Sequence, residues 1–261
     1  MNIKEIKVYG ERNSGTNYLI SLLEANLKGK NVKIVQKKYG WKHRFVDANE
    51  LKATDTSETL FIFISKDLYS WTISMNNKPH HAPQLYGLDF DTFLHSEWAC
   101  YEGKGYATRD LEKNPIKPVE EMMFERNPNT GERFKNVILL RNEKNKRYLK
   151  LKEACEHHHF IKYYDLLYTP KRTLRMMARE FDLNLQAEIQ LNDGYHGKNP
   201  KQKFNRKRFY LQQEYFNSYT QQQLDYVNQF FDEETESALG YEIIKKLPEK
   251  TGISSTQIKS T

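Results

Sequence analysis

The apolar positions change period along the chain, and those changes predict an alternation of strands and helices. Residues 3–9 alternate as a short strand does, whereas over 16–28 the spacing turns helical, with Leu19, Leu22, Leu23 and Leu27 on one face. The run VKIV (32–35) predicts a second strand and TLFIFIS (59–65) a third. The third is continuously apolar and β-rich, as suits a parallel strand covered on both faces. A helix is predicted over 68–77, a loop at Pro79, and helices over 89–103 and 118–127. NVILLR (136–141) and HFIKYY (159–164) predict two more buried strands, with a helix over 143–156 between them. Further helices are predicted over 170–183, where Pro170 suits a first turn, and over 220–239, ended by Gly240. Residues 192–205 read as a loop rich in Gly, Asn and Lys. Strands alternating with helices predict a three-layer α/β/α fold around a mainly parallel sheet.

Length and composition keep that picture to one domain. A chain of 261 residues buries one good-sized core, and no composition shift marks a linker. Residues 1–247 are expected to form a single domain, and the Ser-, Thr- and Lys-rich stretch 248–261 a mobile tail. The 38% hydrophobic content is low, yet 14 Phe, 17 Tyr and 3 Trp supply bulky core material and exclude a disordered chain. No apolar run approaches the ~20 residues of a membrane span, and the start MNIKEIKVYG lacks the apolar stretch of a secretory signal. Cys100 and Cys155 have neither metal-site nor disulfide-framework spacing. The expectation is a cytoplasmic protein with free thiols.

Charge adds a second layer of information. The net charge is +7, and between Gly194 and Gln213 there is no acidic residue, while Lys198, Lys201, Lys203, Arg206, Lys207 and Arg208 are all basic. Such a run is usually a solvated face, but it also suits a phosphate or other polyanion.

The stretch GERNSGTNYL (10–19) lies between the first strand and the first helix. Gly10 and Gly15 are spaced as in a phosphate-binding loop, so successive N–H groups and the helix N-terminus can face one anion. Arg12 offers a full charge, and Ser14, Thr16 and Asn17 offer short-range donors. The plain alternative is an ordinary strand-to-helix turn with a capping hydroxyl. A nucleotide triphosphatase would have Lys at position 16 and Ser or Thr at 17; this chain has Thr16 and Asn17. A second stretch, ISKDLYSWTISM (64–75), ends the most apolar strand and places Lys66 eight residues before Ser74. At that spacing an ammonium and a hydroxyl can reach one phosphate outside the sheet edge.

Together these stretches resemble the sulfotransferases that use 3′-phosphoadenosine 5′-phosphosulfate (PAPS), whose fold is P-loop NTPase-like. RNSGTNYL is similar to the family's 5′-phosphosulfate loop, and SKDLYSWTIS to its 3′-phosphate signature, with Lys66 in place of an Arg. IKYYDLLYTPKRTLRMMAREFDL is similar to the family's Tyr-Glu-Asp-Leu segment and following helix, and ESALGYE to its closing segment. The resemblance covers most of the chain in family order. It implies PAPS as co-substrate, no metal, and nucleotide contacts from Arg12, Asn13, Ser14, Gly15, Thr16, Asn17, Lys66 and Ser74. Many members carry a Lys directly before Ser-Gly-Thr; here Asn13 stands there, with Arg12 one step earlier. The family's Arg-Lys-Gly stretch has its nearest counterpart in NRKRFY, so Arg206 and Lys207 are expected to close over the nucleotide. Lys66 in place of Arg keeps the charge but loses the bidentate fork.

Sulfuryl transfer to a hydroxyl needs a base at the acceptor oxygen and positive charge at the leaving phosphate. YGWKHRF (39–45) supplies His43 for the first task and Lys42 or Arg44 for the second. His43 and Lys42 are therefore catalytic candidates, joined by Arg12 as the stand-in for the lysine that the resemblance implies at the leaving phosphate, with Glu97, Asp91 or the His80–His81 pair as alternative bases. The histidines of KPHHAP (78–83) are placed to border the acceptor, and those of EHHHF (156–160) to lie on the surface. The expected partner is a hydroxyl-bearing acceptor, with a slight preference for a carbohydrate, and neither nucleic acid nor membrane. Two other readings stay open: a P-loop kinase, which magnesium dependence would reveal, and a basic nucleic-acid-binding module, which steep salt dependence would reveal.

Overall fold

The computed structural model describes residues 2–29, 32–102, 120–191 and 206–248. Its centre is a four-stranded, all-parallel sheet in the order β2-β1-β3-β4. The strands are β1 (Glu5–Tyr9), β2 (Lys33–Ile34), β3 (Thr59–Ser65) and β4 (His158–Lys162). The period of two along these strands builds the layers. Ile6, Val8, Leu60, Ile62 and Ile64 pack on one face against Leu19, Leu22 and Leu23 of helix α1 (Thr16–Asn26). Tyr9, Phe61 and Phe63 form the opposite face. Helices lie on both sides, which makes the domain a three-layer α/β/α sandwich, as the alternation of periods predicts.

Between the strands run α2 (Ala48–Lys52), α3 (Leu68–Asn77), α4 (Phe90–His95), α5 (Val137–Leu149) and α6 (Leu151–Ala154). After β4 come α7 (Tyr163–Tyr168), α8 (Pro170–Glu180), α9 (Arg206–Leu211), α10 (Gln221–Asn228) and α11 (Glu233–Ala238). Leu174 and Met177 of α8 join α1 under the sheet, while Tyr148 of α5 and Leu151 of α6 cover the face of Phe61 and Phe63. A third cluster joins α3, α4, α5 and α10 through Trp71, Phe93, Ile138 and Leu224. Among the described residues, no helix is long and apolar enough to cross a membrane.

Several expected elements are different. NVILLR is not a strand but the first turns of α5, because the Asn136 side chain accepts from the N–H groups of Ile138 and Leu139 and starts a helix. Helical spacing then buries Val137, Leu140, Arg141, Lys144 and Tyr148 on one face. The helix predicted over 89–103 stops at His95, and the chain then makes isolated antiparallel bridges from Trp98 to Phe134 and from Tyr101 to Glu121. Of 118–127, the described part holds a single 3₁₀ turn, Met123–Glu125. The helix predicted over 220–239 is two helices, the second capped by Asp232. Strand β4 ends at Lys162, and Tyr163 already belongs to α7. The expected loop over 192–205 and the tail beyond Pro248 lie outside the described residues.

Candidate functional site

In an all-parallel sheet the C-terminal ends of the strands share one edge. Register places Tyr9 beside Phe63 and Ser65 beside Lys162, so the residues that follow converge: the loop from Gly10, Lys66, and Tyr163. The loop is tight. A Cβ on Gly10 would lie 2.5 Å from the Ile64 carbonyl oxygen, so only glycine lets the chain pass this close to β3. The Ser14 N–H and hydroxyl both donate to the Glu11 carbonyl, at 3.1 and 2.6 Å. Asn13 (φ 60°) and Gly15 (φ 100°) adopt left-handed backbone, and the Trp71 indole N–H holds the Arg12 carbonyl at 2.7 Å. Gly15 is the N-cap of α1 and supplies no side-chain acceptor to the first turn of the helix. Thr16 is buried, and the Asn17 amide oxygen accepts from the Lys42 ammonium.

Gly15 is constrained by Tyr163: a Cβ there would lie 2.4 Å from the Tyr163 ring. Gly15→Ala is expected to destabilise the fold by ~1–3 kcal/mol through this overlap and the positive φ. Thermal unfolding of the ligand-free protein measures it; an unchanged Tm would contradict the packing.

Arg12 is not at the loop mouth. Its guanidinium is fully buried between the rings of Trp41 and Trp98, at 4.7 and 5.2 Å from their centres. It pairs with Glu11 at 2.8 Å and Glu125 at 2.9 Å, and donates to Cys100 Sγ at 3.0 Å. Lys144 of α5 lies 2.8 Å from both Glu11 Oε2 and Glu125 Oε2. Two buried cations thus face two buried carboxylates, which is what low polarity demands of interior charge. Burial alone would raise the Glu11 carboxyl, but Lys144 and Arg12 outweigh it and hold it well below the usual carboxylate range. The cation at the mouth is Lys42, whose pKa burial lowers.

Lys42 and His43 sit on a segment without regular structure, gripped by its carbonyls. Lys7 Nζ donates to Gln36 O at 2.7 Å, Tyr9 OH to Tyr39 O at 2.6 Å, and Gly10 N to Lys42 O at 3.1 Å. Lys144 Nζ donates to His43 O at 2.5 Å and Tyr148 OH to Arg44 O at 3.0 Å. The His43 ring meets the Gly10 carbonyl through Nδ1. A carbonyl accepts only, so Nδ1 carries the proton and Nε2 keeps its lone pair. Burial holds the His43 pKa well below 6.5, with Glu11 opposing and Arg12 and Lys42 assisting. At neutral pH the ring is an uncharged base.

Lys66 and Ser74 come together as their spacing predicts. Lys66 Nζ donates to Ser74 Oγ and to Tyr210 OH, each at 2.6 Å, and lies over the rings of Tyr210 and Tyr163. Lys66 is only 3% exposed, yet its partners are hydroxyls and rings; among the described residues no carboxylate pairs with it. Arg12 and Lys144 are neutralised by buried carboxylates; among the described residues, Lys66 is not. Its backbone is fixed by Arg141, which donates to Lys66 O at 2.8 Å while pairing with buried Glu236 of α11.

Tyr163 and Tyr210 are site residues that sequence reasoning did not single out. Tyr163 touches both Gly15 and Lys66, and with Asp67, Tyr164, Tyr210 and Tyr215 it lines a small cleft beside the ammonium. Tyr163 ends an apolar run, and Tyr210 follows the basic stretch, but nothing in the sequence joins them. Arg206 and Lys207 open α9, the helix that brings Tyr210 to Lys66; their side chains lie outside the described residues. The two carboxylates among the alternative bases are engaged elsewhere: Asp91 beside His95 on α4, and Glu97 with Arg133 at 3.0 Å. His158 and His159 lie on β4, with His159 3.1 Å from Glu180. No family model, curated protein or solved structure matches this chain.

Proposed function

We propose that the protein is a PAPS-dependent sulfotransferase acting on an acceptor hydroxyl. The observation that carries the reading is Lys66, a buried ammonium with no carboxylate partner among the described residues, hydrogen-bonded to Ser74 and Tyr210 at the sheet edge. Such a charge favours an incoming anion, here the 3′-phosphate. The loop from Asn13 to Asn17 and the uncapped end of α1 take the 5′-phosphosulfate through backbone N–H groups. Lys42, held on Asn17 at the mouth, meets the charge that develops on the leaving phosphate, the task Arg12 was expected to perform. Arg206 and Lys207, at the start of α9, close over the nucleotide in this reading.

His43 Nε2 takes the proton of the acceptor hydroxyl as its oxygen attacks sulfur in line. The bond from sulfur to the bridging oxygen breaks, and that oxygen leaves on adenosine 3′,5′-bisphosphate.

Lys66→Ala tests the assignment. Affinity for adenosine 3′,5′-bisphosphate is expected to fall by ~1.5–3 kcal/mol, the loss of a charge-assisted contact, with little change for 5′-AMP. Calorimetric titration of both nucleotides decides: equal losses would overturn the 3′-phosphate assignment. Tighter binding of magnesium-ATP than of adenosine 3′,5′-bisphosphate would replace the reading with the kinase.

A further inference from the structure

We infer that His81 and Trp41 form the acceptor subsite of the proposed active site, built for an uncharged alcohol carried on a ring. The inference rests on the sulfotransferase reading and gives its acceptor side a surface. His81 has φ 64°, a left-handed conformation that costs a β-carbon-bearing residue energy and that glycine would adopt freely. The segment is held in that shape from several sides. Asn13 Nδ2 of the loop donates to Lys78 O at 3.0 Å, Tyr101 N to His81 O at 2.8 Å, and Ala82 N to Pro79 O at 3.0 Å. Strain held in place by its surroundings points to the side chain as the thing retained.

That side chain stands beside the reacting groups. The His81 ring is 5.6 Å from Trp41 and perpendicular to it, and Trp41 is 5.0 Å from His43 in the same manner. One indole therefore lies between the proposed base and a second imidazole. Among the described residues His81 Nδ1 is buried with no hydrogen-bond partner, so its fold position does not come from a bond made by that nitrogen. Burial, helped by Arg12 and opposed by a hydrogen bond with the Tyr101 backbone and by Glu125, lowers its pKa and keeps the ring neutral. Phe124 stands perpendicular to Trp41 at 6.4 Å, and both Phe124 and its neighbour Met123 are more than half exposed, at 56% and 60%. Arg12, under the indole, is neutralised by Glu11 and Glu125. The groups placed around Trp41 are thus Phe124, two neutral imidazoles and a neutralised guanidinium, with the neighbouring Lys42 ammonium bound to Asn17, which suits an uncharged ring better than a polyanion. A phenolic ring and the apolar face of a sugar share this chemistry.

The test uses His81→Gly in the full chain, with His81→Asn and Trp41→Ala beside it. Removing the side chain is expected to raise Tm by about 2 °C, because glycine relieves the backbone. A residue kept only for structure would lower it. Calorimetry with 2-naphthol and with methyl β-D-glucopyranoside, each in the presence of adenosine 3′,5′-bisphosphate, is expected to show one probe binding the wild type. That binding should weaken at least tenfold in His81→Gly and in Trp41→Ala, while nucleotide affinity stays within twofold. His81→Asn, which tolerates the left-handed backbone, should retain the wild-type Tm and lose probe affinity. Naphthol alone binding identifies a phenolic acceptor, glucoside alone a sugar. A fall in Tm for His81→Gly, binding of neither probe, or equal binding by the variants overturns the inference. Failure of the wild type to bind adenosine 3′,5′-bisphosphate strikes the sulfotransferase reading instead, and is seen separately in the nucleotide titration.

Discussion

His43→Ala is expected to lower turnover by ~10²–10⁴-fold while the affinity for adenosine 3′,5′-bisphosphate stays near wild type, the usual size of a lost general base. The geometry explains why the loss falls on turnover. The ring hydrogen-bonds the loop through Nδ1 at the Gly10 carbonyl, and the loop has other supports in Trp71 and in the Ser14 contacts to Glu11. The phosphate-facing backbone should therefore persist without the imidazole. The structure also changes the expected pH dependence. An unshifted histidine would lose activity near ~6.5, but burial and the charges of Arg12 and Lys42 place the folded pKa well below that. The acid limb of the pH–rate profile should then lie below 6.5 in the wild type and be absent in the variant. The sign for stability follows the same shift. With the folded pKa depressed, the contribution of His43 is complete above the unfolded pKa of ~6.5 and is lost as pH falls toward and through the folded value. Tm measured between pH 7.5 and pH 5 should fall more steeply for the wild type than for His43→Ala. A variant that keeps both its rate and its acid limb would move the base to another group, with His81, on the far side of Trp41, next in position.

The sequence made part of this legible, and physics explains which part. Local patterns sufficed for the three-layer fold, because β1 alternates, β3 carries an unmistakable apolar run and α1 has a helical apolar stripe. The pairing of Lys66 with Ser74 was also legible, since both lie on one strand–helix unit where spacing fixes distance. NVILLR misled because its apolar run is equally suitable for a strand or a buried helix; the deciding residue is Asn136, whose side chain caps the first turn. The direction of Arg12 was not legible. Whether an arginine next to a phosphate loop faces out or in depends on which carboxylates reach it, and Glu125 comes from more than a hundred residues away. The tyrosines around Lys66 were hidden for the same reason: Tyr163 and Tyr210 arrive on separate helices, and only the folded chain sets them on one ammonium.

The inward arginine leads to the largest stability effect. Lys144→Met is expected to destabilise the protein by ~3–5 kcal/mol, the cost of removing one partner from a buried charge cluster. Glu11, Arg12, Glu125 and Lys144 form a balanced set, each no more than 3% exposed at the side chain. Without Lys144, Glu11 and Glu125 share Arg12 alone, and one negative charge is left inside without compensation. Methionine matches the lysine stem in length, so the cavity contribution is small and the charge contribution dominates. The double variant Lys144→Met with Glu125→Leu removes one charge of each sign and should be less destabilised than Lys144→Met by itself, a non-additivity that a double-mutant cycle reads directly. Acid acts on the same cluster. The depressed Glu11 carboxyl contributes stability that is complete above the unfolded carboxylate value of ~4.3 and is lost as pH falls through the folded one. Part of that loss should vanish in Lys144→Met, where the carboxylate has already lost a counter-charge. Lys144 also donates to the His43 carbonyl, so the single variant should shift the acid limb of whatever turnover survives, an effect that global destabilisation alone does not produce. Urea unfolding of the two variants and the wild type, followed at pH 7 and pH 3, carries the decision. Equal stability of Lys144→Met and the wild type would mean that the cluster is solvated and that Arg12 is available to the phosphate loop after all.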